Sequence, residues 1–195
     1  MIFAFVLVLL AVVYRLVTGL MIHSGTTWLA EFAPGSAIAL CCAAYFPPKY
    51  KFAVPLGGLF LSDLVLNYHY GASLLDSQIL CRYFALGLVG CIGLALQNRA
   101  SLRTLLPGSI LASIVFYLLT NVFSWWSDPG YTKDLGGLVQ ALTVGLPEYS
   151  ATPTWMFFRN TAVSDLLFTG LFILCMHWGR ASEPERATSA IPRTI

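Results

Sequence analysis

The chain has 195 residues, of which 57% are hydrophobic and only 10% charged. Water-soluble domains carry about 25% charged residues, so this composition argues against a soluble globular domain and fits a single helical membrane domain. Eleven Lys and Arg against nine Asp and Glu leave a net charge of +2 with no basic run, which gives no footing to a nucleic-acid partner.

Taken in chain order, the first apolar stretch is 2–20, broken by Tyr14, Arg15 and Thr18. It lacks a basic leading region and a small-residue cleavage site, so it reads as a retained span and not a signal peptide. Further spans are predicted at 34–46, 52–67, 79–96, 105–126 and 156–178, against the roughly 20 residues a membrane helix needs. The second and third are short and joined by Pro47, Pro48, Lys49, Tyr50 and Lys51; they form either two tilted helices or a re-entrant hairpin. The longest connection, Ser127–Trp155, holds an Asp128-Pro129-Gly130 turn and an apolar segment, Leu135–Leu146, expected to be a short helix on the bundle. A structured loop of this length commonly acts as a lid or binding wall. The segment 181–195 is polar and expected to be a disordered tail. The expected fold is an all-α, six-helix transmembrane bundle, one domain over 1–180.

Lysine and arginine set the orientation. Lys49, Lys51, Arg99, Arg103, Arg180, Arg186 and Arg193 fall in the second loop, the fourth loop and the tail. The other loops offer Lys133, with Arg159 just inside the last span. The positive-inside rule therefore puts both termini in the cytoplasm. Trp28, Tyr68, Tyr70, Trp125, Trp126 and Trp155 then form an outer aromatic belt, with Trp178 at the inner surface.

An acid inside an apolar span is costly, so each one needs a reason. Asp63 lies about one turn below the outer end of the third span, with Asn67 and Tyr70 on its face at i+4 and i+7, a polar stripe expected to open outward. Asp165 lies nearer mid-bilayer, with Thr161 one turn above. Both acids read either as functional groups or as packing devices paired to arginine or backbone. Arg82 stands at the outer start of the fourth span; Arg159 near the outer end of the sixth either binds an anionic group or snorkels. Asn121, Ser124, Trp125 and Trp126 are candidates to line a cavity.

Of five cysteines, Cys81 alone falls at the outer level, beside Arg82 and Tyr83, where a guanidinium favours the thiolate. Cys41, Cys42, Cys91 and Cys175 fall deeper or toward the cytoplasm. His69 and His23 are the outer-face histidines, either ligands or interfacial polar residues. Ala39 and Ala43, and Gly87, Gly90 and Gly93, give small-residue faces for close helix approach. No phosphate-binding G-x-x-x-x-G-K-[ST] loop is present.

Several stretches carry a resemblance: Ala33-Pro34-Gly35-Ser36-Ala37-Ile38-Ala39-Leu40, Ala44-Tyr45-Phe46-Pro47, Leu61-Ser62-Asp63-Leu64, Thr120-Asn121-Val122-Phe123-Ser124-Trp125, and above all Phe157-Phe158-Arg159-Asn160-Thr161 with Asp165-Leu166-Leu167-Phe168. Over 33–172 the chain resembles the substrate-binding S components of ECF transporters. The resemblance implies a six-helix vitamin-binding protein of the bacterial cytoplasmic membrane, with an outward-facing pocket roofed by loops. Group-type S components dock on a shared membrane subunit with two ATPases. The first span here lacks the Ala-x-x-x-Ala often used for docking, which argues against that partnership.

Within this set the chain is most similar to the solitary vitamin B12 S components of BtuM type. That similarity implies cobalamin as cargo, with Cys81 as an axial thiolate on cobalt able to displace an upper ligand such as cyanide. Asn67, Tyr68, Tyr83 and Asn121 are then expected at the corrin rim, with Asp63, His69, Arg82, Trp125 and Arg159 completing the candidate binding set. Two other classes stay open: an intramembrane thiol enzyme using Cys81 as nucleophile, which needs a base from His69 or His23, and a membrane scaffold built on the small-residue faces.

Overall fold

The structure is a computed structural model and describes residues 2–22, 32, 34–71, 73 and 76–181. Its helices in chain order are α1 (Ile2–Ile22), α2 (Gly35–Tyr45), α3 (Ala53–Tyr70), α4 (Ser77–Leu96), α5 (Leu102–Ser127), α6 (Leu135–Thr143) and α7 (Thr154–Ala181). A single 3₁₀ turn at Gln97–Arg99 extends α4, and no strand occurs among the described residues. Segments within α1, α4, α5 and α7 are long and apolar enough to cross a membrane. His23, Trp28 and Ala33, and the tail from 182 onward, lie outside the described residues.

α2 has only 11 residues, about 16 Å at 1.5 Å each, roughly half a bilayer's hydrocarbon thickness. It starts after Pro34 and stops at Phe46, before Pro47 and Pro48 forbid continuation. Every residue from Ser36 to Ala44 is buried. α2 is therefore an internal strut that α3, α4, α5 and α7 surround. Its small side chains let those neighbours close in. At Gly93 of α4 an added Cβ would lie 2.3 Å from the Leu40 carbonyl oxygen and 2.8 Å from Ala43 Cβ.

Two apolar clusters flank the strut. One joins Ala4, Val8 and Ala11 of α1 to Ile38, Cys41, Cys42 and Phe46 and to Phe172 and Met176 of α7. The other joins Ala39, Leu40 and Ala44 to Leu86 and Val89 of α4, Leu105 and Ala112 of α5, and Ile173 of α7. Meanwhile α1 keeps Ile2, Leu9 and Leu10 more than half exposed, at 78%, 63% and 57%, an outward apolar surface that fits lipid.

Local chemistry sets the element ends near the site. Gly71, at φ +64°, closes α3, and the Asp76 carboxylate caps α4 by accepting from Gln78 N–H. Asp134 caps α6, accepting from Gly137 N–H at 2.7 Å and from the Thr132 hydroxyl at 2.8 Å. The backbone donor of Gly137, then the Thr132 hydroxyl, hold its carboxyl below the usual range. Gly145, at φ +75°, turns the chain out of α6 toward α7. α6 packs on α5 and α7, so the predicted loop helix lies against the bundle, ending at Thr143 and not Leu146.

Candidate functional site

The N-terminal halves of α4 and α7 and the C-terminal half of α5 line a cleft of about 270 Å³. The α5 wall is a helical stripe: Phe116, Tyr117, Thr120, Asn121 and Ser124 recur at spacings of one, three, one and three. Gln78 and Arg82, four apart on α4, face it, and Thr154, Phe157, Phe158 and Thr161 of α7 close the third side. Two chemistries result: an aromatic wall of Phe116, Tyr117, Phe157 and Phe158, and a polar one of amides, hydroxyls and a guanidinium.

The polar side chains are held in place by their own bonds. Asn121 Nδ2 donates to the Tyr117 carbonyl at 2.8 Å, which leaves its carbonyl oxygen for the cleft. Gln78 spans α4 and α5, donating to Ser127 Oγ at 3.2 Å and accepting from Ser124 Oγ at 3.4 Å. Tyr117 rests against Phe158, ring centroids 4.9 Å apart, and its hydroxyl donates to the Leu142 carbonyl of α6. That last bond ties the α5 wall of the cleft to α6. Trp125 Nε1 donates to Thr132 O at 2.8 Å and Lys133 donates to the Trp125 and Asp128 carbonyls, which fasten the start of the connection to the end of α5.

Beside the cleft lies a charged knot. Asp63, 3% exposed, accepts from Arg15 Nη2 at 2.7 Å, and Arg15 Nη1 also donates to Ser62 Oγ. Arg82 Nη2 stands 3.9 Å from the same Asp63 oxygen. Tyr83 sits close enough to feel Asp63, Arg82 and Arg15 electrostatically. Three buried polar atoms here have no hydrogen-bond partner: Asp63 Oδ2, Asn67 Nδ2 and Arg82 Nε.

These positions sort the predicted site residues. Arg82 and Asn121 line the cleft. Asp63 does not open outward on a stripe; it turns inward to Arg15, because a carboxylate in an apolar bundle is held by the nearest cation. Tyr70, expected on that stripe, donates its hydroxyl to the Gly19 carbonyl of α1. Tyr68 is 91% exposed and His69 is exposed with its ring on Tyr70, so neither meets the cleft. Trp125 serves the loop, as above. Arg159 is exposed, 5.8 Å over the Trp155 ring, with its guanidinium on Asn160 Oδ1. Cys81 is half-buried and its thiol donates to the Leu119 carbonyl at 3.8 Å; it is turned toward the α5 backbone, one helical position away from cleft-lining Arg82. Among the described residues no three His, Cys, Asp or Glu side chains gather as a metal site.

Asp165 follows the packing alternative. Fully buried, it accepts from Ala37 N–H of α2 at 2.9 Å and lies 2.6 Å from Ser113 Oγ of α5. No arginine takes part.

Sequence reading missed Arg15 as a site partner, and also Gln78, Tyr117 and Thr120. Arg15 stands 48 residues from Asp63, beyond any local pattern. The α5 stripe carried a usable signal, since Tyr117, Thr120, Asn121 and Ser124 share one helical face.

No curated protein and no solved structure matches the chain. A family model covers residues 1–186, and the chain with its cleft and charged knot thereby belongs to a family of unknown function (DUF6580).

Proposed function

We propose that this chain is a solute-binding uptake protein of the bacterial cytoplasmic membrane, working in the manner of the ECF S components, with six membrane segments and both termini inside. The observation that carries the reading is the cleft: aromatic on one side, amide and hydroxyl on the other, with its Tyr117 wall tied to α6. Small-molecule sites combine an apolar lining with a few convergent polar groups in this way. It lies at the ends of α4, α5 and α7 that the lysine and arginine distribution assigns to the exterior. At about 270 Å³ it is near the lower end of ligand clefts, which run from roughly 300 Å³ upward.

The test is a thermal-shift screen of the purified chain against vitamin-sized solutes, followed by uptake into cells expressing it. A binding solute should raise the unfolding temperature, and Asn121→Leu should cancel that rise without lowering the ligand-free value by more than a few degrees. Absence of any binding solute, together with absence of uptake, overturns the reading.

Cobalamin is the second reading, favoured by one observation: Cys81, a free thiol, adjoins Arg82 at the cleft. A corrin is larger than the cleft, so this cargo requires the lining helices α4, α5 and α7 to move apart, and Cys81 to leave the Leu119 carbonyl. Cobalamin added to the protein should then change its visible absorption, and Cys81→Ser should abolish the change. An unchanged spectrum removes the corrinoid and leaves the smaller solute. The thiol-enzyme alternative has less support, since His69 is exposed and lines no part of the cleft.

A further inference from the structure

We infer that the solute carries a carboxylate and that Arg82 is its counter-ion, an assignment that rests on the solute-binding reading above. The argument is a charge count. Arg15 and Arg82 share a single carboxylate, Asp63, and the sharing is unequal. Arg15 holds Asp63 Oδ1 at 2.7 Å, whereas Arg82 stands 3.9 Å from it. A nitrogen–oxygen distance of 3.9 Å lies outside hydrogen-bond range, so Arg15 holds the acid's hydrogen bond and Arg82 has only a longer-range share of its charge.

The surroundings of Arg82 point the same way. Its side chain is 33% exposed, against 19% for Arg15, and it lines the cleft, which Arg15 does not. Its Nε is buried with no hydrogen-bond acceptor. Asp63 is the only acidic side chain ion-paired with it among the described residues, and no acid lines the cleft. Two guanidiniums on one carboxylate leave an excess positive charge, which in a half-buried, low-dielectric site is costly and is relieved by a further anion. A guanidinium matches a carboxylate with two parallel N–H···O bonds. Across the cleft Asn121 and Ser124 offer further polar contacts, and Phe157 and Phe158 offer flat apolar surface for the rest of the molecule. The fitting ligand class is a small carboxylic acid with a planar or apolar body.

The probes are matched pairs differing in charge alone: benzoate against benzamide, and 3-phenylpropionate against 3-phenylpropionamide, titrated into the full chain with unfolding temperature as the readout. The acids should bind about tenfold or more tightly than the amides, the scale of a charge-assisted bond. Arg82→Gln should erase the acid preference while leaving amide binding in place, and Arg82→Lys should keep part of it. An Arg82→Gln protein that fails to fold shifts the decision to Arg82→Lys and the acid–amide ratio of the wild type. Equal or tighter binding of amides, or an acid preference that survives Arg82→Gln, overturns the carboxylate assignment and spares the solute reading. Should neither these probes nor the neutral solutes of the wider screen bind, both readings fall together.

Discussion

Ser113 owns one hydroxyl proton but has two oxygens in reach, the Ser109 carbonyl at 2.9 Å and Asp165 Oδ2 at 2.6 Å. One proton shared between both gives only two weaker, bifurcated bonds. A proton on Asp165 Oδ2 would give every acceptor a donor of its own: the acid would donate to Ser113 Oγ, Ser113 to Ser109, and Asp165 Oδ1 accepts from Ala37 N–H. A neutral acid also avoids an unpaired charge at the centre of the bundle. Asp165→Asn should therefore be tolerated within about 1 kcal/mol, because the amide reproduces one donor and one acceptor. Asp165→Leu should cost roughly 1–3 kcal/mol for each polar partner it orphans. Thermal unfolding in detergent separates the two variants, and an infrared band of a protonated carboxyl, present in the parent and lost in Asp165→Asn, tests the proton directly. If Asp165→Asn is as damaging as Asp165→Leu, the residue is ionised. Both buried acids were legible as interruptions of apolar spans. Their partners were not, since Ala37 and Ser113 lie 128 and 52 residues away and carry no charge to announce the pairing.

At the level of elements, the closest packing is α2 on α4. Gly93 sits against the Leu40 backbone, Gly90 against the Phe52 ring, and Gly87 faces open space. The three glycines looked equivalent in sequence, and only contacts distinguish them. Gly93→Ala places a methyl 2.3 Å from a carbonyl oxygen that belongs to a helix and cannot swing aside; it should destabilise by about 1–3 kcal/mol. Gly87→Ala meets nothing and should gain about 0.5–1 kcal/mol from helix propensity. Unfolding midpoints of the pair measure both, and equal effects would mean that α2 and α4 do not touch as described. The long spans could be read in advance because twenty apolar residues leave few alternatives. α6 was legible for a different reason, the apolar run Leu135–Leu146 inside an otherwise polar connection; its cap, Asp134, is a finding of the structure. The role of α2 was hidden. A helix buried all round has no polar face to orient it, so its sequence said that it was apolar and short but not that four others enclose it.

Across the whole molecule the polar interior is divided. The charged knot joins α1, α3 and α4, the hydrogen-bonded cluster around Asp165 joins α2, α5 and α7, and the cleft lies between α4, α5 and α7. An uptake role requires that opening to face the exterior, and single reporter cysteines decide the matter. Tyr149, between α6 and α7, is exposed on the cleft side, and Asn98, between α4 and α5, is exposed at the opposite end. With Cys81, Cys91 and Cys175 replaced by alanine, Cys41 and Cys42 are buried and should stay silent. A membrane-impermeant maleimide should label Tyr149→Cys on intact cells and Asn98→Cys only after permeabilisation. The reverse pattern would turn the cleft toward the cytoplasm, where Arg82 could not meet an incoming acid and the charge distribution of the loops would have misled. Labelling of both on intact cells would break the bundle's assignment to two faces, because Asn98 joins the far ends of α4 and α5 whereas Tyr149 precedes the cleft-lining start of α7.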